Sequence, residues 1–233
     1  MQAMNNDMAY PQAPIRRVYL IKDQGWTRRG YKITTPDELS CLYNVHTSSS
    51  HPGVTLTRHL QPIPYHAPAS SMSRLSGQFS LSGLLGHSEN HQQPGSQINN
   101  DHVVATVNFH TLSSKIDIGF STNQAIVMKC PDAFSSSRRF ESLTPLGTLE
   151  WKRDGGGAAL GSLVSSNLKL VDGGKRTVAR YEKKSSMLSK ENDVIALLVP
   201  ELDGFLDIVV ITCLATLEYK RTKNNAEDAI GSI

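Results

Sequence analysis

Short runs in which apolar and polar residues alternate recur along most of the chain, and one long apolar run lies near its end. The short runs go from Arg17 to Ile21, Tyr31 to Thr34, Cys41 to His46, Val54 to Arg58, Val103 to His110 and Ile116 to Phe120. They continue from Ala125 to Lys129, Arg138 to Ser142, Gly147 to Lys152, Asn167 to Val171, Thr177 to Tyr181 and Val194 to Val199, the last apolar throughout. Runs of this length, bounded by Gly, Pro, Asp and Ser, predict β-strands. A period of two places Cys41, Tyr43 and Val45 on one face and Leu42, Asn44 and His46 on the other. It likewise places Val103, Ala105, Val107 and Phe109 together. Asp172-Gly173-Gly174 between two alternating runs predicts a hairpin, because such residues tolerate the positive φ of a tight turn.

The long apolar run extends from Asp203 to Arg221. Phe205, Leu206, Ile208, Val209, Val210, Ile211, Cys213, Leu214, Ala215 and Leu217 leave no polar stripe, so a helix here is enclosed by protein or lipid. A membrane span needs about 20 apolar residues. The uncharged run between Asp207 and Glu218 is half that. The β-branched Val209, Val210, Ile211, Thr212 and Thr216 keep a central strand as a rival reading. Acidic Glu201, Asp203 and Asp207 before the run, and Lys220, Arg221 and Lys223 after it, follow the order that a helix dipole favours. Thr212 and Thr216, one turn apart, bond back to helix carbonyls.

A sheet of roughly twelve strands closed into a barrel is too wide for its own side chains to fill, and an apolar helix through the middle solves that. The predicted fold is therefore mainly β: a roughly twelve-stranded closed barrel enclosing a hydrophobic C-terminal helix. Phe205, Ile208, Val209, Ile211, Thr212, Leu214 and Leu217 form its central rod.

The alternation stops between about 61 and 101, where Pro-, Ser- and Gly-rich sequence predicts a disordered insertion. Residues 1–15 and 222–233 are expected to be tails flanking a single domain over 16–221. Aromatics at 6% and hydrophobics at 39% fit a chain that is only partly folded. A net charge of +3 is neutral on nucleic acid as a partner, and none is expected. Cys41, Cys130 and Cys213 are scattered and odd in number, so no disulfide framework or zinc cluster is expected. With a polar start unlike a signal peptide, this points to a reducing, cytoplasmic location, peripheral to membranes at most.

Chemistry is sparse. His87 and His91 have a metal-ligand spacing around Glu89, but in sequence unsuited to a helix; no metal and no cofactor are expected. Gly155 to Gly161 and Gly173-Gly174-Lys175-Arg176 lack the ending of a phosphate loop. No nucleophile elbow occurs, and acids are sparse apart from the group at the helix start, so no catalytic residue is assigned. Basic pairs stand out: Arg16-Arg17, Arg28-Arg29, Arg138-Arg139, Lys152-Arg153, Lys175-Arg176 and Lys183-Lys184. Each reads as solvated strand-end charge or, where several gather, as an anion site. Lys175, Arg176, Arg180, Lys183 and Lys184 are the chosen anion-site candidates, because one hairpin could gather them. Arg180 and Lys184 would share a face if the strand runs that far.

With the helix from Asp207 to Arg221, the strand pieces from Ala105 to His110, Gly147 to Lys152, Leu168 to Asp172 and Val178 to Tyr181 carry a resemblance. Together with Tyr19 to Ile21 and Tyr31 to Ile33, the chain resembles the tubby C-terminal-like superfamily of tubby domains, LURP-one-related proteins and phospholipid scramblases. That resemblance implies a twelve-stranded barrel threaded by its C-terminal helix, and a non-enzymatic module at or near membranes. Tubby domains bind phosphoinositide headgroups through basic side chains on the barrel surface; scramblases are associated with lipid movement and calcium. The expected function is binding of phosphoinositide or another anionic lipid headgroup, or of a phosphorylated protein, at a basic surface. A protein-interaction scaffold using the 61–101 insertion, and scramblase-like lipid transfer, are the alternatives.

Overall fold

The computed structural model describes residues 17–22, 30–48, 53–59, 101–110, 113–132, 135–154, 167–184, 191–200 and 202–230. The chain divides into two units, Met1–His59 with Asp101–Ile233, and Leu60–Asn100. The insertion expected at 61–101 therefore lies outside the described residues except for Asp101, as do His87 and His91.

Twelve strands form in the first unit: β1 (Arg17–Lys22), β2 (Gly30–Thr34), β3 (Cys41–Thr47), β4 (Val54–His59), β5 (Asp101–Phe109) and β6 (Ile116–Phe120). They are followed by β7 (Ala125–Met128), β8 (Arg138–Glu141), β9 (Thr148–Arg153), β10 (Leu168–Asp172), β11 (Thr177–Glu182) and β12 (Asp193–Leu197). One helix, α1, spans Phe205–Ile230. All strand pairs are antiparallel, in the order β7-β6-β5-β4-β3-β2-β1-β12-β11-β10-β9-β8. Sequence neighbours are sheet neighbours except at β7 and β8, as short connections favour, and β1 meets β12 where the chain returns.

The expected closed barrel is not found as a continuous ladder. β7 and β8 are the two edges of the sheet. What joins them is one bridge, in which Lys129 and Arg139 exchange backbone hydrogen bonds of 2.9 and 2.8 Å. With four residues in each edge strand and two glycine-free but proline- and serine-rich steps between them (Cys130-Pro131, Ser135-Ser136), little ladder can form.

Alternation places side chains largely as the sequence predicts. In β3, Tyr43, Val45 and Thr47 are buried and His46 is exposed. β5 departs from its prediction: Val104 is buried while Val103 is 45% exposed. Leu56 pairs with Ala105 but Thr57 pairs with Val103, so Val104 is an extra residue in the ladder. A one-residue bulge flips every side chain beyond it to the other face.

The hairpin between β10 and β11 forms where expected, but its left-handed residue is Lys175, with φ 64°, and not a glycine. Lys175 N–H donates to Asp172 O and Asp172 N–H to Arg176 O. This is the three-residue loop in which the third residue, after a type I turn, takes the left-handed conformation.

The helix supplies the core. Phe205, Ile208, Val209, Val210, Ile211, Thr212, Cys213, Leu214 and Ala215 are all buried; Leu217 alone of the predicted rod is half-buried. Neither the strand nor the membrane alternative holds: among the described residues no helix is long and apolar enough to cross a membrane. Thr212 donates to Ile208 O at 2.6 Å and Thr216 to Thr212 O at 2.8 Å. Thr212 also accepts from buried Trp151 Nε1 on β9 at 3.0 Å, fixing the rotation of the helix against the sheet. Each large apolar side chain buried in this way contributes about 1.5–3 kcal/mol.

Two boundaries differ from expectation. The helix starts at Phe205, after Gly204 with φ 71°, and it continues to Ile230 instead of giving way to a tail at 222. Thr222 to Ile230 contains neither proline nor glycine, and Gly231 follows; Ala, Glu and Lys sustain a helix and Gly ends one. Consequently no basic residue lies in the last turn. Lys220, Arg221 and Lys223 sit mid-helix, where the dipole gives them little, and need another explanation.

A cation-lined cavity where the helix leaves the core

The two ends of the buried half of α1 are built differently. At its start, Arg58 Nη2 on β4 reaches Asp207 Oδ1 and Oδ2 at 2.5 and 2.7 Å. The Tyr43 phenol also donates to Asp207 Oδ1, and the Arg58 guanidinium lies 5.6 Å from the Tyr43 ring centre. Burial and then Asp207 push the Tyr43 phenol above its ordinary pKa. Every charge here is matched, so this end is a clasp.

The other end is open. A cavity of about 510 Å³ surrounds α1 where it emerges, between the ends of β9, β10 and β11 and the Cys130–Arg138 segment. That volume is in the ~300–1,000 Å³ range of small-molecule sites. Its two acids are already engaged. Tyr31 donates to Glu218 Oε1 at 2.5 Å, and Arg221 Nη1 approaches the same oxygen at 3.3 Å. Tyr181 donates to Asp193 Oδ2 at 2.6 Å, and the Lys184 amide to Asp193 Oδ1 at 3.0 Å. Burial first, and the neighbouring carboxylate second, hold both phenols neutral. Burial and Asp193 also push the Cys213 thiol up.

The cations are not engaged in the same way. Arg153, Lys183 and Lys220 all line the cavity, and none makes an ion pair among the described residues. The Lys220 ammonium is held below its ordinary pKa, by burial and then by Arg153 and Lys183. Three like charges, none of them ion-paired among the described residues, favour a positive potential at the mouth.

Deeper in the cavity is Arg138, only 5% exposed. Its guanidinium lies 4.3 Å from the Tyr219 ring centre, contacts Cys130 Sγ and donates to Ser137 O at 3.2 Å. The neighbouring Arg139 points outward and pairs with Glu150 at 3.1 Å, as does Lys152 at 3.3 Å. Burial alone would raise the Glu150 carboxyl, but hydrogen bonds from Ser137, Arg139 and Lys152 outweigh it and hold Glu150 low.

The five candidates chosen from sequence do not gather. Lys175 and Arg176 sit at the turn end of the β10–β11 hairpin, and Lys183 and Lys184 at its other end. Six residues of strand separate them, about 20 Å at ~3.3 Å per residue. Arg176 is paired with Asp172 at 3.0 Å and Arg180 faces Asp154 at 3.6 Å. β11 ends at Glu182, so Lys184 is off the face that Arg180 occupies. Lys183 is the one candidate that lines the cavity.

Over residues 27–223 the chain matches a family described as "Family of unknown function (DUF6593)". The chain belongs to the DUF6593 family. The matched span takes in β2 to β12, the buried half of α1, and all of Arg138, Arg153, Lys183 and Lys220. No curated protein and no solved structure matches this DUF6593 chain. Among the described residues no group of three or more His, Cys, Asp or Glu could hold a metal ion.

Proposed function

We propose that this DUF6593 protein is a non-enzymatic binding module that takes an anionic headgroup, such as that of a phosphoinositide, at the mouth where α1 leaves the core. The observation that carries the reading is the convergence of Arg153, Lys183 and Lys220 on one cavity, none of them ion-paired among the described residues. An incoming phosphate would relieve their mutual repulsion and accept charge-assisted hydrogen bonds. Asp193 and Glu218, the acids facing the same space, are tied to tyrosine phenols. That supports binding over acid–base catalysis, which needs a carboxylate free to exchange protons with a substrate.

Within this proposal the sheet acts as a closed barrel around α1, with the Lys129–Arg139 bridge completing the circle. Twelve antiparallel strands and a buried C-terminal helix also support membership of the tubby C-terminal-like superfamily. The scaffold alternative rests on the 61–101 insertion, which lies outside the described residues.

Vesicle co-sedimentation tests the reading. The protein should pellet with neutral vesicles doped with a phosphatidylinositol bisphosphate, lose that binding as salt rises, and ignore undoped vesicles. Each basic residue near an anionic surface contributes about 1 kcal/mol. The double variant Lys183→Ala/Lys220→Ala should therefore bind about 30-fold more weakly, since ~1.4 kcal/mol is tenfold. Both lysines are exposed, so the variant should fold normally. Equal affinity of the variant and the parent protein, or no binding at low salt, overturns the proposal.

A further inference from the structure

We infer that the cavity behind this rim receives a phosphomonoester group, and that buried Arg138 is the side chain that anchors it. The inference rests on the binding reading above and extends it inward, from surface attraction to a specific acceptor.

The starting point is an unbalanced charge. Arg138 is buried on β8, yet it has no carboxylate partner among the described residues. A guanidinium stays protonated at any ordinary pH, so it cannot escape burial by losing its proton. A buried charge without a counter-charge is strongly unfavourable. Its present partners are weak ones: the face of the Tyr219 ring, the Cys130 sulfur and one backbone carbonyl. These leave most of the five N–H donors of the guanidinium unused. The same cavity holds no free acid, since Asp193 and Glu218 are engaged, and adds Lys220 and Lys183 at the rim. An anion with several acceptor oxygens would satisfy those donors, and a terminal phosphate matches the planar fork of an arginine in two-pronged fashion. Leu168, Leu214 and Leu217 on the remaining wall give the organic part of such a ligand an apolar surface. A lipid headgroup and a soluble phosphate ester offer the same group, and the experiment separates them.

Cys130 supplies the readout. It lines the cavity, touches Arg138 and is half-buried; Cys41, away from the cavity, is also half-buried, and Cys213 is fully buried. An anion seated on Arg138 covers the Cys130 sulfur. The intact protein is alkylated with iodoacetamide at constant ionic strength in chloride, in inorganic phosphate, or with the doped vesicles, and each cysteine is followed by peptide mass spectrometry. With phosphate at about ten times its dissociation constant, Cys130 should react roughly tenfold more slowly, in proportion to occupancy. The Cys41 rate should stay unchanged. Arg138→Gln should abolish the protection; should that variant not fold, the comparison of Cys130 with Cys41 in the parent protein decides alone.

Protection by both inorganic phosphate and vesicles supports the inference and the membrane reading together. Protection by phosphate without vesicle binding keeps the Arg138 site, with a soluble ester as ligand, and removes the membrane. Protection by doped vesicles alone keeps the site and assigns the lipid as its source. Vesicle binding with the Cys130 rate unchanged leaves the rim reading standing and overturns the Arg138 anchor. No protection and no vesicle binding overturns both.

Discussion

Ile211→Asp should yield no folded protein. Ile211 is fully buried, as are Val209 and Val210 before it and Thr212 and Cys213 after it, on a helix with no solvent-facing side at that level. The substitution removes a packed apolar side chain and puts a carboxyl where nothing can solvate or pair it. The effective penalty for a buried ion is several kcal/mol even after relaxation. Losing the isoleucine adds a further few kcal/mol. Together these consume most of the ~5–15 kcal/mol that holds a typical domain folded. Ile211→Val, which removes one methyl, should cost only about 0.5–1.5 kcal/mol. Leu39→Asp, at a site 83% exposed, should change stability by no more than about 0.5 kcal/mol. Circular dichroism and urea melts of the three variants check this. Similar stability of Ile211→Asp and Leu39→Asp would mean that α1 lies outside the sheet.

Alkaline solution should destabilise the protein steeply. Burial, reinforced by Asp207, raises the pKa of the Tyr43 phenol; burial, reinforced by Asp193, raises that of Tyr181. Cys213 is raised by burial and Asp193. In each case the folded state keeps a proton that the unfolded chain gives up. The stabilisation is fully present below the unfolded values, about 8.5 for Cys and 10 for Tyr. It is lost as pH climbs from there towards the folded values, because the folded state then binds more protons than the unfolded one. The two buried phenols alone should remove about 3 kcal/mol for each pH unit above about 10. Denaturant melts between pH 8 and 11.5, taken in steps of about half a unit, read this slope. Tyr181→Phe should lower it by about 1.4 kcal/mol per pH unit, the share of one phenol. A folding free energy that stays flat through about pH 11 would mean that these phenols are not enclosed as described.

Much of the fold could be read from the sequence because two periods are so unlike. Short runs bounded by turn residues, most of them alternating, mark the strands of the sheet, and an apolar run with no polar stripe marks the buried helix. The misplaced features each have a local cause. Val103 faces outward because Val104 is an extra residue opposite β4, and alternation alone does not reveal a bulge. The basic cluster mimics a helix end because cations suit a C-terminus, whereas the next stop signal is Gly231. The site was harder to read. Lys175, Arg176, Lys183 and Lys184 are close in sequence, yet a strand holds its two ends apart and local carboxylates neutralise Arg176 and Arg180. Arg153, Lys183 and Lys220 come from three elements distant along the chain, and only the register of the sheet and the phase of the helix unite them. Arg138 did carry a signal. It shares the inward phase of Phe140 in β8 while Arg139 and Glu141 point out. An arginine on the core phase of a strand marks a buried charge.

Residue-resolved hydrogen exchange along α1 tests the central claim most directly. If the sheet encloses the first half of the helix, the amides from Val209 to Thr216 exchange only when the whole domain unfolds, at a common and slowest rate. Those of Thr222, Lys223 and Asn224, whose side chains are exposed, exchange orders of magnitude sooner. Uniform exchange along α1, with Ile211 no slower than Lys223, would contradict an enclosed helix and the cation-lined mouth built around its exit.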